Sequence, residues 1–266
     1  MKRSLGIYAI NLDRSPERWQ ALAEAFSPLP YALRRVPALD ARLQPQAVLD
    51  MRGLSIALPP AGLGYSMVRG REYVLVQEAC FASHLVALRC FLASRHDLAL
   101  ILEDDAVPGP RTASVLGALC SLDAPFDVVR LEAIRLSGSR PAVRVASLGG
   151  DTLVRSLKPS SGSAAYVVTR RAAESLIAAA GRKLLPFDDY LANPALHGCD
   201  VGYVSPLPIR QAEAPSVIAE SYDRSRLRRQ RGPMAFLRQA SVRIRLRIGL
   251  WARALRGGGM PRNYRW

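Results

Sequence analysis

Five consecutive apolar residues, Leu98-Ala99-Leu100-Ile101-Leu102, run directly into three acids, Glu103-Asp104-Asp105. A run of that length has no polar face, so as a strand it must be covered on both sides. That predicts a central parallel strand of an α/β sheet. In open α/β sheets, ligands bind beyond the carboxyl ends of strands, where this run delivers its carboxylates. Three adjacent anions repel one another unless a cation stands among them. A hard divalent ion such as Mg2+ or Mn2+ takes oxygen ligands, and phosphate oxygens can fill out its shell. If the backbone stays extended, Glu103 and Asp105 point to the same side. The alternative is an acidic surface turn after the strand, helped by Pro108 and Gly109.

The surroundings fit a sheet. Leu5–Leu12 reads as a first buried strand, Asp13–Arg18 as a polar loop and the segment around Trp19–Phe26 as an amphipathic helix. A strand near Leu33–Pro37 and a helix over Gln77–Ser94 follow. Beyond the acids come a strand at Val128–Leu131, hairpin and loop over 137–160, a strand at Ala164–Thr169, a helix over Arg171–Ala180 stopped by Gly181, and a strand at Val201–Val204. Strands alternating with helices predict an open α/β sheet. Residues 53–70 are rich in Gly and Pro and predict a loop excursion. No run of 18 apolar residues occurs, and the apolar stretch after Met1-Lys2-Arg3-Ser4 stops at Asn11, too short for a signal peptide. Cys80, Cys90, Cys120 and Cys199 lack zinc-pair spacing and read as free thiols. No G-x-x-x-x-G-K-[ST] occurs, which argues against a P-loop enzyme.

The charge is uneven. Residues 220–266 carry thirteen arginines against Glu220 and Asp223, a net of +11. The preceding 219 residues hold only the remaining +4 of the chain's +15. The boundary is therefore placed near residue 220, with a catalytic body over 1–219 and a basic tail over 220–266. Within the tail, Leu237, Ile244, Ile248, Trp251 and Leu255 fall at helical steps with arginines on much of the other face. That is the pattern of an amphipathic helix lying on an anionic membrane surface. Val242–Ile248 also alternates as a strand would, and a disordered solubilising tail is the plainer alternative. The body has no helix-turn-helix, zinc finger or aromatic stacking motif, which argues against a nucleic-acid partner.

Several blocks together resemble glycosyltransferase family 25, the lipooligosaccharide-biosynthesis galactosyltransferase-like proteins. They are Ile10-Asn11-Leu12-Asp13-Arg14 with Arg18, Pro37-Ala38-Leu39-Asp40, Glu78-Ala79-Cys80-Phe81-Ala82-Ser83-His84 and Leu100–Asp105. Arg130-Leu131, Gly162–Thr169, Pro186-Phe187-Asp188, Pro206–Gln211 and Ser216-Val217-Ile218 follow in order. The resemblance covers roughly residues 5–218. It implies a GT-A-type fold, an open mixed sheet flanked by helices, from which the basic C-terminal helical tail read above is a departure. It also implies a nucleotide-sugar donor, often UDP-galactose, and inversion at the anomeric carbon. Glu103-Asp104-Asp105 then stands as the D-x-D of nucleotide-sugar enzymes with glutamate first. A glycan or glycolipid acceptor, of lipooligosaccharide or lipopolysaccharide type, is the family expectation. With such an acceptor, the basic tail makes a cytoplasmic enzyme, peripheral on the inner face of the cell membrane, the expectation.

Roles follow from these expectations. Asp105 is the first choice as ligand to Mn2+ or Mg2+, with Glu103 assisting through metal-bound water or ribose and Asp104 doing either. Asn11, Asp13, Arg14 and Arg18 are placed at the nucleotide, where Arg18 could add charge for phosphate. Alternatively, Asp13 or Ser15 caps a helix that Pro16 opens. Ser83 and His84 lie on a helix before the acidic strand, and His84 could donate to the diphosphate. Asp188 is the candidate general base, with Asp189 the alternate. Alternatively, Asp188 caps a helix over Asp189–Ala192.

Overall fold

The computed structural model describes residues 2–53, 63–123, 126–133, 138–158, 160–181, 183–212, 229, 232–256 and 259–265. Half of the Pro/Gly excursion (residues 54–62), the Ser216–Ile218 block and the boundary at residue 220 lie outside these. The strands are β1 (Leu5–Asn11), β2 (Ala32–Pro37), β3 (Gly64–Tyr65), β4 (Glu72–Tyr73), β5 (Leu98–Glu103), β6 (Ala106–Pro108), β7 (Val128–Arg130), β8 (Ser139–Leu148), β9 (Asp151–Ser156), β10 (Ala165–Thr169), β11 (Val201–Ser205), β12 (Ile209–Gln211) and β13 (Arg262–Arg265). The helices are α1 (Pro16–Phe26), α2 (Pro45–Met51), α3 (Leu75–Leu92), α4 (Thr112–Ser121), α5 (Arg170–Ala180), α6 (Phe187–Leu191), α7 (Pro194–His197) and α8 (Pro233–Leu255).

Nine strands form one mixed sheet in the order β13-β8-β9-β11-β7-β10-β5-β1-β2. Period-two alternation divides each central strand between two cores. Leu98, Leu100 and Leu102 of β5 join Ile7, Val129 and Val167 against α1 and α4. Ala99 and Ile101 join Tyr8, Tyr166 and Val168 against α3, α5 and α6. Each leucine buried this way contributes roughly 1.5–3 kcal/mol, which is why the apolar run ends up in the middle of the sheet. Helix α3 is long and apolar enough to cross a membrane by length and composition, but ten of its residues, Glu78 and His84 among them, are buried inside this fold.

Three expectations need correcting. β5 is parallel to β1 on one side and antiparallel to β10 on the other, so it is central but not wholly parallel. The strand stops at Glu103, and Asp104-Asp105 form a turn before β6, so Glu103 and Asp105 do not alternate along one extended strand. The cap readings hold only in part. Ser15 stands at the N-cap of α1 with Pro16 opening the helix, but it makes no side-chain cap bond, Asp13 pairs with Arg35 instead, and α6 begins at Phe187 after Pro186, which places Asp188 inside its first turn.

The tail is helical, and it is joined to the body. Leu246, Leu250 and Ala254 of α8 are buried, and β13 pairs antiparallel with β8 over Ser139–Ala142. Composition divides the chain near residue 220, whereas hydrogen bonding makes residues 262–265 part of the body's sheet. Gly249 sits where a Cβ would lie 2.9 Å from the Ala195 Cβ, so its missing side chain lets α8 approach α7.

Candidate active site

The carboxyl ends of β1, β5 and β7 lie at one edge of the sheet. Because β10 runs antiparallel to β5 and β7, its amino end lies at the same edge. The topology therefore brings together Asn11 from β1, Glu103 from β5, Glu132 just past β7, and the Gly162-Ser163-Ala164 turn that opens β10.

That turn makes contact with three carboxylates. The Gly162 N–H faces Asp188 Oδ2 at 3.4 Å, the Ser163 hydroxyl donates to Glu103 Oε1 at 2.5 Å, and the Ala164 N–H donates to Glu132 Oε2 at 3.2 Å. Gly162 adopts φ 106°, in the region that favours glycine. Its carbonyl accepts from the buried guanidinium of Arg130, which also donates to the Ser160 carbonyl at 2.6 Å and the Tyr203 hydroxyl at 3.0 Å. The glycine-serine turn thus fixes three acids.

The acidic triplet divides its partners. Asp104 accepts from Arg18 Nη2 at 2.7 Å and Asn11 Nδ2 at 2.8 Å. Asp105 accepts from Gln211 Nε2 at 2.8 Å, with Arg18 Nη2 at 3.6 Å, while its buried Oδ1 has no hydrogen-bond partner. Glu132 Oε1 is likewise buried without a partner. Burial, with the charge of Glu103, pushes the Asp105 carboxyl up to about 7. Burial also pushes Glu132 up to about 7, against the pull of Arg130. Burial raises Asp104 too, despite Arg18 and Asn11. Burial opposes the charge on Glu103 as well, but His84, Ser163 and Arg18 outweigh it and hold that carboxyl below its usual value. The donors are all oxygen and two buried oxygens lack partners, which is the chemistry a hard divalent cation takes, although among the described residues the group whose donor atoms converge within 4.8 Å is Cys80, His84 and Glu103 rather than the three acids.

Other expected residues are placed differently. Arg18 is at the acids, but Arg14 pairs with Asp40 at 2.7 Å and Asp13 with Arg35 at 2.7 Å, so neither contacts the acidic triplet. The Ser83 hydroxyl donates to the Ala79 carbonyl at 2.7 Å and accepts from the Leu39 N–H at 2.9 Å, which occupies it within the scaffold. His84 is buried, stacked on Phe187 with ring centroids 4.0 Å apart. Its Nε2 lies 3.3 Å from Glu103 Oε1 and its Nδ1 3.3 Å from the Tyr166 hydroxyl. Cys80, one turn before His84, completes a cluster in which thiol, imidazole and Glu103 donor atoms lie within 4.8 Å of one another. Burial raises the Cys80 thiol well above its usual range, so it stands there as a neutral thiol.

Asp188 and Asp189 share one cation. Arg69 Nη2 lies 2.8 Å from Asp188 Oδ2, and Arg69 Nε lies 2.5 Å from Asp189 Oδ2. Burial and the neighbouring Asp188 raise Asp189 in spite of Arg69.

Glu132, Arg69, Gln211 and the structural role of Ser163 were not expected. Glu132 had the same signal as Glu103, an acid closing an apolar strand, but Arg130 interrupts the run. Arg69 had no local signal, and Gln211 stood within a resemblance block without a role, because tertiary contacts alone carry them to the acids.

Two solved structures align with most of the chain. One is a glycosyltransferase involved in the glycosylation of the major capsid of PBCV-1, at 9% identity and TM-score 0.45, over 82% of this chain and 96% of that one. The other is mannose-1-phosphate geranyltransferase from Thermus thermophilus, at 13% identity and TM-score 0.35, over 80% and 75%. No curated protein matches the chain. The sequence profile of glycosyltransferase family 25 (LPS biosynthesis protein) matches residues 4–191, from β1 through α6, a span that holds every expected site residue. The chain belongs to glycosyltransferase family 25, and its activity is the transfer of a sugar from a donor to a glycan acceptor.

Proposed function

We propose that this glycosyltransferase uses a UDP-sugar, UDP-galactose first among them, and transfers the sugar with inversion to a glycan of lipooligosaccharide or lipopolysaccharide type. Its place of action on this reading is the cytoplasmic face of the cell membrane. The observation that carries the reading is the pair of partnerless buried oxygens, Asp105 Oδ1 and Glu132 Oε1, beside Glu103 at the end of the central strand. Asp105, Glu103 and Glu132 would hold Mn2+ or Mg2+. When bound, the cation supplies positive charge to the departing nucleoside diphosphate.

The chain's own residues account for the rest. Arg18 holds Asp104 and reaches toward Asp105, so its guanidinium stands where a diphosphate would gather negative charge. Asn11 orients Asp104 from the end of β1. Ser163 and His84 keep Glu103 ionised and directed. Asp188, with Asp189 as alternate, takes the proton of the acceptor hydroxyl as its oxygen attacks the anomeric carbon and the nucleoside diphosphate leaves. Arg69 orients both acids.

Calorimetric titration of UDP, with Mn2+ and with chelator, beside an Asp105→Ala variant, tests this. Metal-dependent binding that the variant loses is the expected result. A folded protein that binds no UDP under either condition removes the UDP donor. Equal binding with and without Mn2+ removes the metal role.

A further inference from the structure

Helix α8 has two apolar faces, and only one is used by the fold. Leu246, Leu250 and Ala254, four residues apart, are buried, and Ala254 packs with Val143 and Leu157. Successive residues turn by about 100° around a helix. On that geometry Leu237, Ile244, Ile248, Trp251 and Leu255 form one stripe on the side opposite Leu246 and Leu250. The structure leaves all five 40–63% exposed. Met234 and Phe236, in the first turn, are exposed as well.

Charge flanks this stripe. Arg238, Arg245 and Arg256 lie along one margin and Arg247 along the other, and all four are exposed. Arg243 and Arg253 face the body instead, donating to the Val68 and Gly198 carbonyls at 2.8 and 3.3 Å. No Asp or Glu occurs anywhere in α8. Soluble surfaces seldom expose a contiguous apolar stripe of this size without a partner. A partner protein's apolar groove would account for the stripe alone. Arginines on both margins, no acid, and a tryptophan within the stripe together match the boundary between anionic headgroups and acyl chains.

We infer that the outer face of α8 is a docking surface for an anionic lipid bilayer. The helix lies in the plane of the interface, with the stripe among the acyl chains and the marginal arginines at the headgroups. The surface is separate from the acidic centre and lies beyond the family match, so it stands whatever the donor proves to be.

The test is co-sedimentation of the full chain with two kinds of vesicle at physiological ionic strength. One is pure phosphatidylcholine, the other roughly one-third phosphatidylglycerol. Preferential binding to the anionic vesicles is expected. Ile244→Ser with Ile248→Ser should weaken it about tenfold or more, since both side chains are exposed and their loss leaves the core intact. Arg238→Glu with Arg245→Glu should abolish the preference for anionic lipid. Circular dichroism confirms that each variant is folded. Unchanged binding by the isoleucine variant overturns the proposal. So does self-association of the chain, or retention on an oligonucleotide, that the isoleucine pair abolishes while vesicle binding is absent. Those results assign the face to a second copy or to nucleic acid.

Discussion

Replacing Arg52 with methionine should destabilise the whole fold, although Arg52 lies outside the acidic centre. Its guanidinium and the Glu78 carboxylate are both fully buried and meet at 3.2 Å by charge, without a well-aligned hydrogen bond. With an effective dielectric of about 20, Coulomb's law gives roughly 5 kcal/mol of attraction at that separation. Burial still outweighs Arg52 in its effect on Glu78, whose pKa is raised. Arg52 also donates to the Gly181 and Lys183 carbonyls at 3.0 and 2.7 Å and lies 3.6 Å over the Phe81 ring. It thereby ties α3 to the segment leading into Asp188. Removing one partner of a buried pair costs about 3–5 kcal/mol. Part of the cost is avoided because Glu78 can take a proton, but the two carbonyls lose a charged donor. A net loss of about 4 kcal/mol, or roughly 10 °C in Tm, is expected. Urea unfolding of Arg52→Met, Glu78→Gln and the double variant measures it. The double variant should recover about half the loss, since no lone charge remains. Sign fixes a second readout. A raised carboxyl pKa means stability is highest below the unfolded value of 4.5 and falls as pH rises through the folded pKa. Glu78→Gln should flatten that fall. A loss below about 1 kcal/mol for Arg52→Met, or strictly additive variants, would refute the coupling.

Three further outcomes follow from the same geometry. Gly70 sits at φ 59°, and a Cβ there would collide with the amide of Gln239, so Gly70→Ala should cost about 1–2 kcal/mol in urea melts. His197 is buried and its pKa is lowered from 6.5 to about 4. Stability should therefore decline as pH falls from 6.5 through 4, by about 3 kcal/mol in all, and a His197→Gln variant should lose that component of the decline. Arg69→Ala should lower kcat at least about tenfold and move the acid limb of the pH–rate profile upward, because removing the guanidinium favours the protonated acids at Asp188 and Asp189. An unmoved limb with reduced stability would make Arg69 purely structural.

What the sequence disclosed depended on how local each signal was. Leu98–Leu102 named its own place in the sheet, because apolar continuity is enough to demand cover on both faces. β1, α3, β10 and α5 were legible for similar reasons of periodicity and capping. Helix α8 was legible as amphipathic, but not which apolar face packs. Its buried residues, Leu246, Leu250 and Ala254, are fewer and smaller than its exposed ones, so patterning pointed to the outer stripe. β13 carries two arginines and an asparagine in four residues and had no strand signal. Only the free edge of β8 makes it one. The separate partners of Asp104 and Asp105 were hidden because they depend on a turn, and the three contacts of the Gly162–Ala164 turn depend on strands distant in the chain.

The pairing of β13 with β8 has a consequence for how the chain reaches its folded state. β8 is ten residues long, and its partner strand lies some 120 residues away in sequence. Contacts this non-local form late, after most loop closures have been made. Until then β8 presents an open ladder, the kind of edge along which partly folded chains join to one another. Once docked, β13 covers the Ser139–Ala142 end and offers in its place four residues that include Arg262 and Arg265. At the far side of the sheet, β2 already carries Arg34, Arg35 and a terminal Pro37. One edge is thus protected from the time it forms, and the other is covered only by the last described residues, so a chain cut before Arg262 would leave the Ser139–Ala142 edge open to pairing with another chain.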